Sequence, residues 1–315
     1  MTQYKLPPFP TRSAQAHKGT FGTAGLIGGS AEMSGAIRLA GRAALAAGAG
    51  LVRLFVPEPI ASTVAAESPN YMTVPVHADR RGRIALAAFD TLRTRLEAVT
   101  AFGIGPGLDK SLGLETLAVR LFFQSPLPAL FDADALNALA AREIFLAPEH
   151  RALFDLPAVS WPCVRILTPH PGEFARISGQ PTPIDRKGRQ SAAVDFVRRV
   201  RSIYPNSPLI LVLKGAQTVV TDGERVFVNS TGNPGMATGG SGDVLTGILT
   251  AFLARKLDPF DAAALAVALH GKAGDLAAER IGPESLTADA LIEHLCQAFA
   301  WYKTTTARSV SGGIT

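Results

Sequence analysis

The sequence predicts an α/β fold, with a central, mostly parallel sheet, helices on both faces and a β-hairpin late in the chain. Short apolar strand signals alternate with helix signals, the order that builds a parallel sheet from β–α–β units. The later strand signals each end at Gly, Pro or Asp, residues that stop a strand and turn the chain. The pair Asp222-Gly223, set between two β-rich runs, is a hairpin signal that breaks the parallel pattern.

In chain order, residues 23–27 read as a short strand, 34–47 as an alanine-rich helix and 51–56 as the next strand, with Gly48 and Gly50 punctuating the helix end. Further strands are expected at 99–104, 129–132, 164–168 and 209–213, and the hairpin arms at 218–221 and 225–229. From 241 to about 302 the pattern is helical. The length of 315 residues suggests about two domains, but no linker or repeat interrupts 18–302. One domain over 18–303 is therefore expected, after an N-terminal extension, 1–17, and before a Ser, Thr and Gly-rich flexible tail, 304–315.

Hydrophobic residues make up 47% of the chain and charged residues 18%, a globular composition. The start of the chain has no apolar h-region, and apolar runs such as 244–254 are too short to span a bilayer. A cytoplasmic location without membrane contact is expected. Cys163 and Cys296 lie far apart, form no metal-ligand cluster and are expected to pack as small apolar residues. The formal charge of +5 owes much to Arg186, Lys187, Arg189, Arg198, Arg199 and Arg201. Such a cluster reads as a solvated helix face, so no nucleic-acid partner is expected.

The chemistry concentrates where strands end. Gly28-Gly-Ser30, Gly103-Ile-Gly-Pro-Gly107, Asp132-Ala-Asp134 and Thr168-Pro-His-Pro-Gly-Glu173 all follow strand signals, at the sheet edge where ligands bind in open α/β folds. None is a phosphate-binding P-loop or a dinucleotide fingerprint. The remaining phosphate device is Gly239-Gly-Ser-Gly-Asp243 before an apolar helix, whose first amides and dipole favour an anion. Asp243, placed where a phosphate would arrive, suits a general base that takes a hydroxyl proton during phosphoryl transfer. Read alone, it could equally be an N-cap.

Seven segments in order, from Lys18-Gly-Thr-Phe-Gly22 and Gly28–Ala36 through Gly103–Gly107, Asp132–Asn137, Thr168–Glu173 and Lys214–Thr218 to Asn233–Gly247, resemble the bacterial ADP-dependent NAD(P)H-hydrate dehydratases of the ribokinase-like superfamily. The resemblance implies repair of the hydrated cofactors NADHX and NADPHX, with ADP as co-substrate cleaved to AMP and phosphate. Position by position, it implies that Ala36, Gly105, His170 and Asp243 hold the hydrated dinucleotide. Lys214, Gly215, Ala216, Gln217, Thr218 and Gly242 would hold the adenine nucleotide. Glu173, three positions after His170, is expected to hold Mg²⁺ through water, while Asp132 and Asp134 could assist or serve only as turn and cap residues. Relatives often carry an epimerase domain; about seventeen residues precede Lys18 here, so the epimerase is expected on another chain. A homo-oligomer such as a tetramer is the expected assembly. Two other readings stay open: a ribokinase-like kinase for a small alcohol or vitamin precursor, and a non-catalytic nucleotide-binding sensor.

Overall fold

Leu209–Leu213 is buried along its whole length, as a strand must be when helices cover both faces of a parallel sheet. The computed structural model describes residues 4–146 and 160–311. Among them, one sheet contains β1 (Thr23–Ile27), β2 (Leu51–Pro57), β3 (Met72–Val76), β4 (Ala101–Ile104), β5 (Ala129–Phe131), β6 (Arg165–Leu167), β7 (Leu209–Leu213), β8 (Val219–Thr221) and β9 (Val226–Val228). Their spatial order is β3-β2-β1-β4-β5-β6-β7-β8-β9. Pairing is parallel from β3 to β7 and antiparallel for β8 and β9, as the sequence predicts.

The core lies in two layers. On one face pack α1 (Ser34–Ala46), α2 (Ala61–Glu67), α8 (Ser241–Ala254), α9 (Pro259–Ile281) and α10 (Ala288–Ser311). On the other lie α3 (Phe89–Leu96), α4 (Leu112–Gln124), α5 (Ala133–Ala141), α6 (Pro171–Ser178) and α7 (Arg186–Ile203). Small residues let α1 and α8 touch closely. A Cβ at Gly247 would stand 2.1 Å from the Ala40 carbonyl oxygen, so only glycine permits this contact, which sets the start of α8 beside β1 and β4. There the strand order reverses, since β2 and β3 lie to one side of β1 and β4 to the other; ligand crevices form at such switch points.

The structure also departs from the expected elements. β3 was missed because it is an edge strand, half exposed and carrying Pro75, which a central strand would not tolerate. The single helical run from 241 divides at Lys256, whose φ is 61°, and at Gly282. Asp222 and Gly223 do turn the hairpin, but the loop is longer than two residues: the Asp222 carboxylate accepts the Glu224 and Arg225 amides. The final helix continues to Ser311, into the segment expected as a flexible tail. The N-terminal extension is packed down: Phe9 contacts the Phe252 and Phe299 rings, and Tyr302 donates to the Pro7 carbonyl at 2.5 Å. Cys296 is exposed, so it does not pack as an apolar residue; Cys163 is partly buried. Among the described residues no helix is long and apolar enough to cross a membrane.

Candidate active site

Gly105, which has φ +138°, brings the loop after β4 against the loop after β5. A Cβ there would stand 1.8 Å from the Asp132 carbonyl oxygen. Its close approach is therefore chain against chain, whether or not a ligand also lies over it. Gly107 lies against α1 in the same way, and a Cβ on it would be 3.1 Å from that of Ala36. Ala36 and Gly105 thus both lie at the β1/β4 switch point.

Next to them stands a buried polar cluster. Asp132, only 1% exposed, occupies the N-cap position of α5 but makes no side-chain cap bond. It instead accepts Lys214 Nζ at 2.6 Å and Thr246 Oγ1 at 2.7 Å. Lys214 leaves the end of β7, and its ammonium also lies 3.8 Å from Glu173 Oε2. Burial opposes charge on Lys214, but Asp132, Glu173 and Asp243 outweigh it and hold its pKa above the ordinary lysine value. Thr246, fully buried in α8, completes the cradle. Sequence reading missed it, although its position three residues after Asp243 places it on the same helix face.

Asp243 is in the first turn of α8, while Gly240, with φ 85°, holds the N-cap position. Capping is therefore not its role. Val244 N–H donates to the Gly240 carbonyl, which leaves the Gly242 and Asp243 amides ahead of the helical ladder. Burial, then the charge of Asp132, pushes the Asp243 pKa up to about 7, against the pull of Lys214. A carboxyl poised near neutrality can take and return a proton. Gly242 has ordinary backbone angles, since its φ is not among the positive ones. A Cβ on it would lie 3.5 Å from Lys214 Nζ, an ordinary van der Waals contact. The start of α8 is held from behind by buried His270, whose Nε2 lies 3.0 Å from the Ser241 carbonyl oxygen; burial pushes its pKa down to about 4, so it stays neutral.

His170 does two jobs at the start of α6. Its Nδ1 accepts the Gly172 and Glu173 amides, while the Glu173 carboxylate accepts the His170 amide at 2.7 Å. This capping box makes His170 a helix cap, a role beside the dinucleotide contact that the family resemblance implies for it. With Nδ1 accepting, the neutral ring carries its proton on Nε2. Burial, Lys214 and Arg176 lower its pKa. Its side chain remains 51% exposed.

Lys214 to Thr218 form an open loop after β7, with Gly215, Ala216 and Gln217 exposed and Gln217 at φ 57°. Arg189 of α7 holds this loop. Its guanidinium donates to the Ala216, Leu213 and Lys214 carbonyls at 2.6, 3.2 and 2.9 Å. The expected solvated face is thus wrong for Arg189, which is buried. Arg198 and Arg199 also turn inward to the Gly223 and Ser178 carbonyls.

The donor set fits a hydrated Mg²⁺ better than a directly bound one. Lys214 occupies the space between Asp132 and Glu173, and among the described residues no three His, Cys, Asp or Glu side chains converge as a metal site. Glu173 can contact such an ion through water, while the ion keeps its own hydration and phosphate ligands.

The likeness to known proteins extends over most of the chain. The family profile described as NAD(P)H-hydrate dehydratase, Carb_kinase, matches residues 24–297. A bifunctional NAD(P)H-hydrate repair enzyme Nnr from Moorella thermoacetica is 40% identical over 288 residues, 91% of this chain and 51% of that protein. The chain spans about half the length of the curated relatives it matches. The crystal structure of an ADP/ATP-dependent NAD(P)H-hydrate dehydratase from Bacillus subtilis, co-crystallised with ATP and Mg²⁺, superposes with a TM-score of 0.74 at 30% identity, covering 94% of this chain and 95% of that one. A ribokinase-like superfamily protein from Enterococcus faecalis superposes at 0.71 with 25% identity, covering 93% and 91%. The fold is ribokinase-like.

Proposed function

The chain belongs to the NAD(P)H-hydrate dehydratase family, and from that premise we propose that it dehydrates the S-epimers of NADHX and NADPHX to NADH and NADPH, converting ADP to AMP and phosphate. The observation that carries the reading is Asp243, its pKa pushed up to about 7, beside free helix amides and the part-buried Lys214 ammonium.

In the hydrate, the ring hydroxyl is a poor leaving group. Asp243 takes its proton while the terminal phosphoryl group of ADP is transferred to that oxygen, forming the O–P bond and releasing AMP. The ring-nitrogen lone pair then expels phosphate from C6, and loss of a C5 proton restores the dihydropyridine. The Gly242 and Asp243 amides and Lys214 stabilise the charge on the phosphoryl oxygens. Bound Mg²⁺ would neutralise phosphate charge. Lys214–Thr218 and Gly242 carry the adenine nucleotide; Ala36, Gly105 and His170 line the place of the hydrated ring, with His170 Nε2–H as donor.

ADP is our choice of co-substrate; the Bacillus subtilis protein is described as ADP/ATP-dependent. An NAD(P)HX epimerase as functional partner and a homo-oligomeric assembly belong to the same proposal. The test is to incubate the protein with NADHX, Mg²⁺ and either nucleotide and follow the absorbance of restored NADH. A nucleotide-dependent rise is expected. A stable phosphorylated product would point to a kinase, and nucleotide binding without any product to a sensor.

A further inference from the structure

We propose that the cleft between α4, α5 and α6 receives the phosphate-bearing adenosine arm of the dinucleotide substrate, with Lys110 and Arg176 as its phosphate contacts. The proposal rests on the hydrated-dinucleotide reading above. Such a substrate has two ends, and the site at Asp243 accounts only for the reacting ring. The other end needs apolar surface for a base and unspent positive charge for phosphates.

The cleft supplies both. It has a volume of about 430 Å³, within the range of small-molecule sites, and follows α5 from Asp134 to Ala141. Leu114, Ala138 and Ala141 form apolar wall, while Lys110, Asn137 and Arg176 are polar. Three carboxylates also line it, but each already has a partner. Glu115 pairs with Arg142 at 2.8 Å and Asp109 lies 3.6 Å from Arg83. Asp134 accepts the Asp109 amide at 2.9 Å and the Asn137 side-chain amide at 3.3 Å.

Lys110 and Arg176 differ from them: among the described residues neither has a carboxylate within ion-pair distance. Arg176 Nε donates to Asn137 Oδ1 at 2.9 Å, which orients the guanidinium and leaves its two terminal nitrogens for an anion. The cleft is also near the reacting end. Asp134, at its upper limit, is one of the carboxylates whose charge acts on Asp243, and Arg176 acts on His170 and Glu173. The loop proposed for ADP leaves β7, on the far side of β6, so the two nucleotides need not compete.

The experiment titrates NADPH, reduced nicotinamide mononucleotide and ADP into the full chain and into Lys110→Ala and Arg176→Gln variants. Both residues are exposed, so the variants should remain folded, and unchanged ADP binding verifies this. NADPH affinity should fall roughly ten- to hundredfold, the effect of losing a charge-assisted hydrogen bond. The mononucleotide, which lacks the adenosine arm, should bind as before. Equal losses for NADPH and the mononucleotide, a loss confined to ADP, or no loss in either variant would overturn the cleft assignment. If the wild-type chain restores NADH from NADHX while the variants bind NADPH normally, only the cleft assignment falls. If the wild-type chain neither binds pyridine dinucleotides nor acts on the hydrate, the proposed function fails and the cleft assignment with it.

Discussion

Lys214 Nζ and Asp132 Oδ1 stand 2.6 Å apart, joining the ends of β5 and β7 beneath the first turn of α8. The pair places a positive charge beside the free amides of α8 and a negative charge within reach of Asp243. The two charges act oppositely on Asp243: Asp132 raises its pKa and Lys214 lowers it.

Asp243→Asn should lower turnover by roughly 10²- to 10⁴-fold, the range for a lost acid–base group, while leaving ADP binding largely intact. Single-turnover conversion of NADHX, paired with ADP titration, checks both. Near-normal turnover in the folded variant would remove Asp243 as the base.

The pH profile follows from the same group. Asp243 acts as a base only when ionised, so kcat/KM should fall as pH drops through about 7. Asp132→Asn removes a charge that disfavours ionisation, so its acidic limb should move to lower pH. The same variant removes the nearest partner of the Lys214 ammonium while Glu173 stays 3.8 Å away, and should cost about 2 kcal/mol of stability, the loss of a hydrogen bond to a charged group, read by denaturant melting. A limb that stays in place would show that Asp132 does not tune the base.

Much of this arrangement was legible in the sequence because glycine loops, strand ends and the α8 junction lie in short, local patterns. Asp243 is legible that way, Lys214 and Glu173 through the resemblance to the dehydratases, and the structure brings the three together with Asp132. What was not legible depends on distant pairing. Thr246 reads as one more residue of an apolar helix until β5 places Asp132 opposite it. Arg189 reads as surface charge until the loop after β7 folds back over α7. The edge strand β3 was hidden because its half-exposed pattern and Pro75 make a weak strand signal.

Arg189→Met tests that hidden role. It should leave the Lys214 and Ala216 carbonyls of the loop, and that of Leu213 at the end of β7, without this donor, loosening Lys214–Thr218 and weakening ADP binding roughly tenfold. Binding of reduced nicotinamide mononucleotide should change little. Unaltered ADP affinity would make Arg189 a structural residue with no effect on nucleotide recognition.

Gly242→Val should affect ADP more than the dinucleotide. Backbone strain is not the reason, because Gly242 does not adopt a positive φ. The valine side chain would instead stand over Lys214 Nζ, where the first Cβ already comes within 3.5 Å, and screen the amides from phosphate. Calorimetric titration of ADP and NADPH separates the cases, since equal losses for both would indicate misfolding.

His170 provides the final test because the structure gives its two ring nitrogens different tasks. Nδ1 caps α6 by accepting the Gly172 and Glu173 amides, and Nε2, which lies 3.4 Å from Glu173 Oε1, is the nitrogen proposed to donate to the dinucleotide. His170→Ala removes both and should cost about 1 kcal/mol of stability through the lost cap, as well as weakening NADPH binding. His170→Asn is the discriminating variant, because asparagine caps a helix well but cannot reproduce the more distant Nε2–H. It should melt close to the wild-type protein while NADPH affinity falls roughly two- to tenfold, the effect of one neutral hydrogen bond. If His170→Asn restores both melting and affinity, the histidine is a cap alone and the donor assignment is wrong.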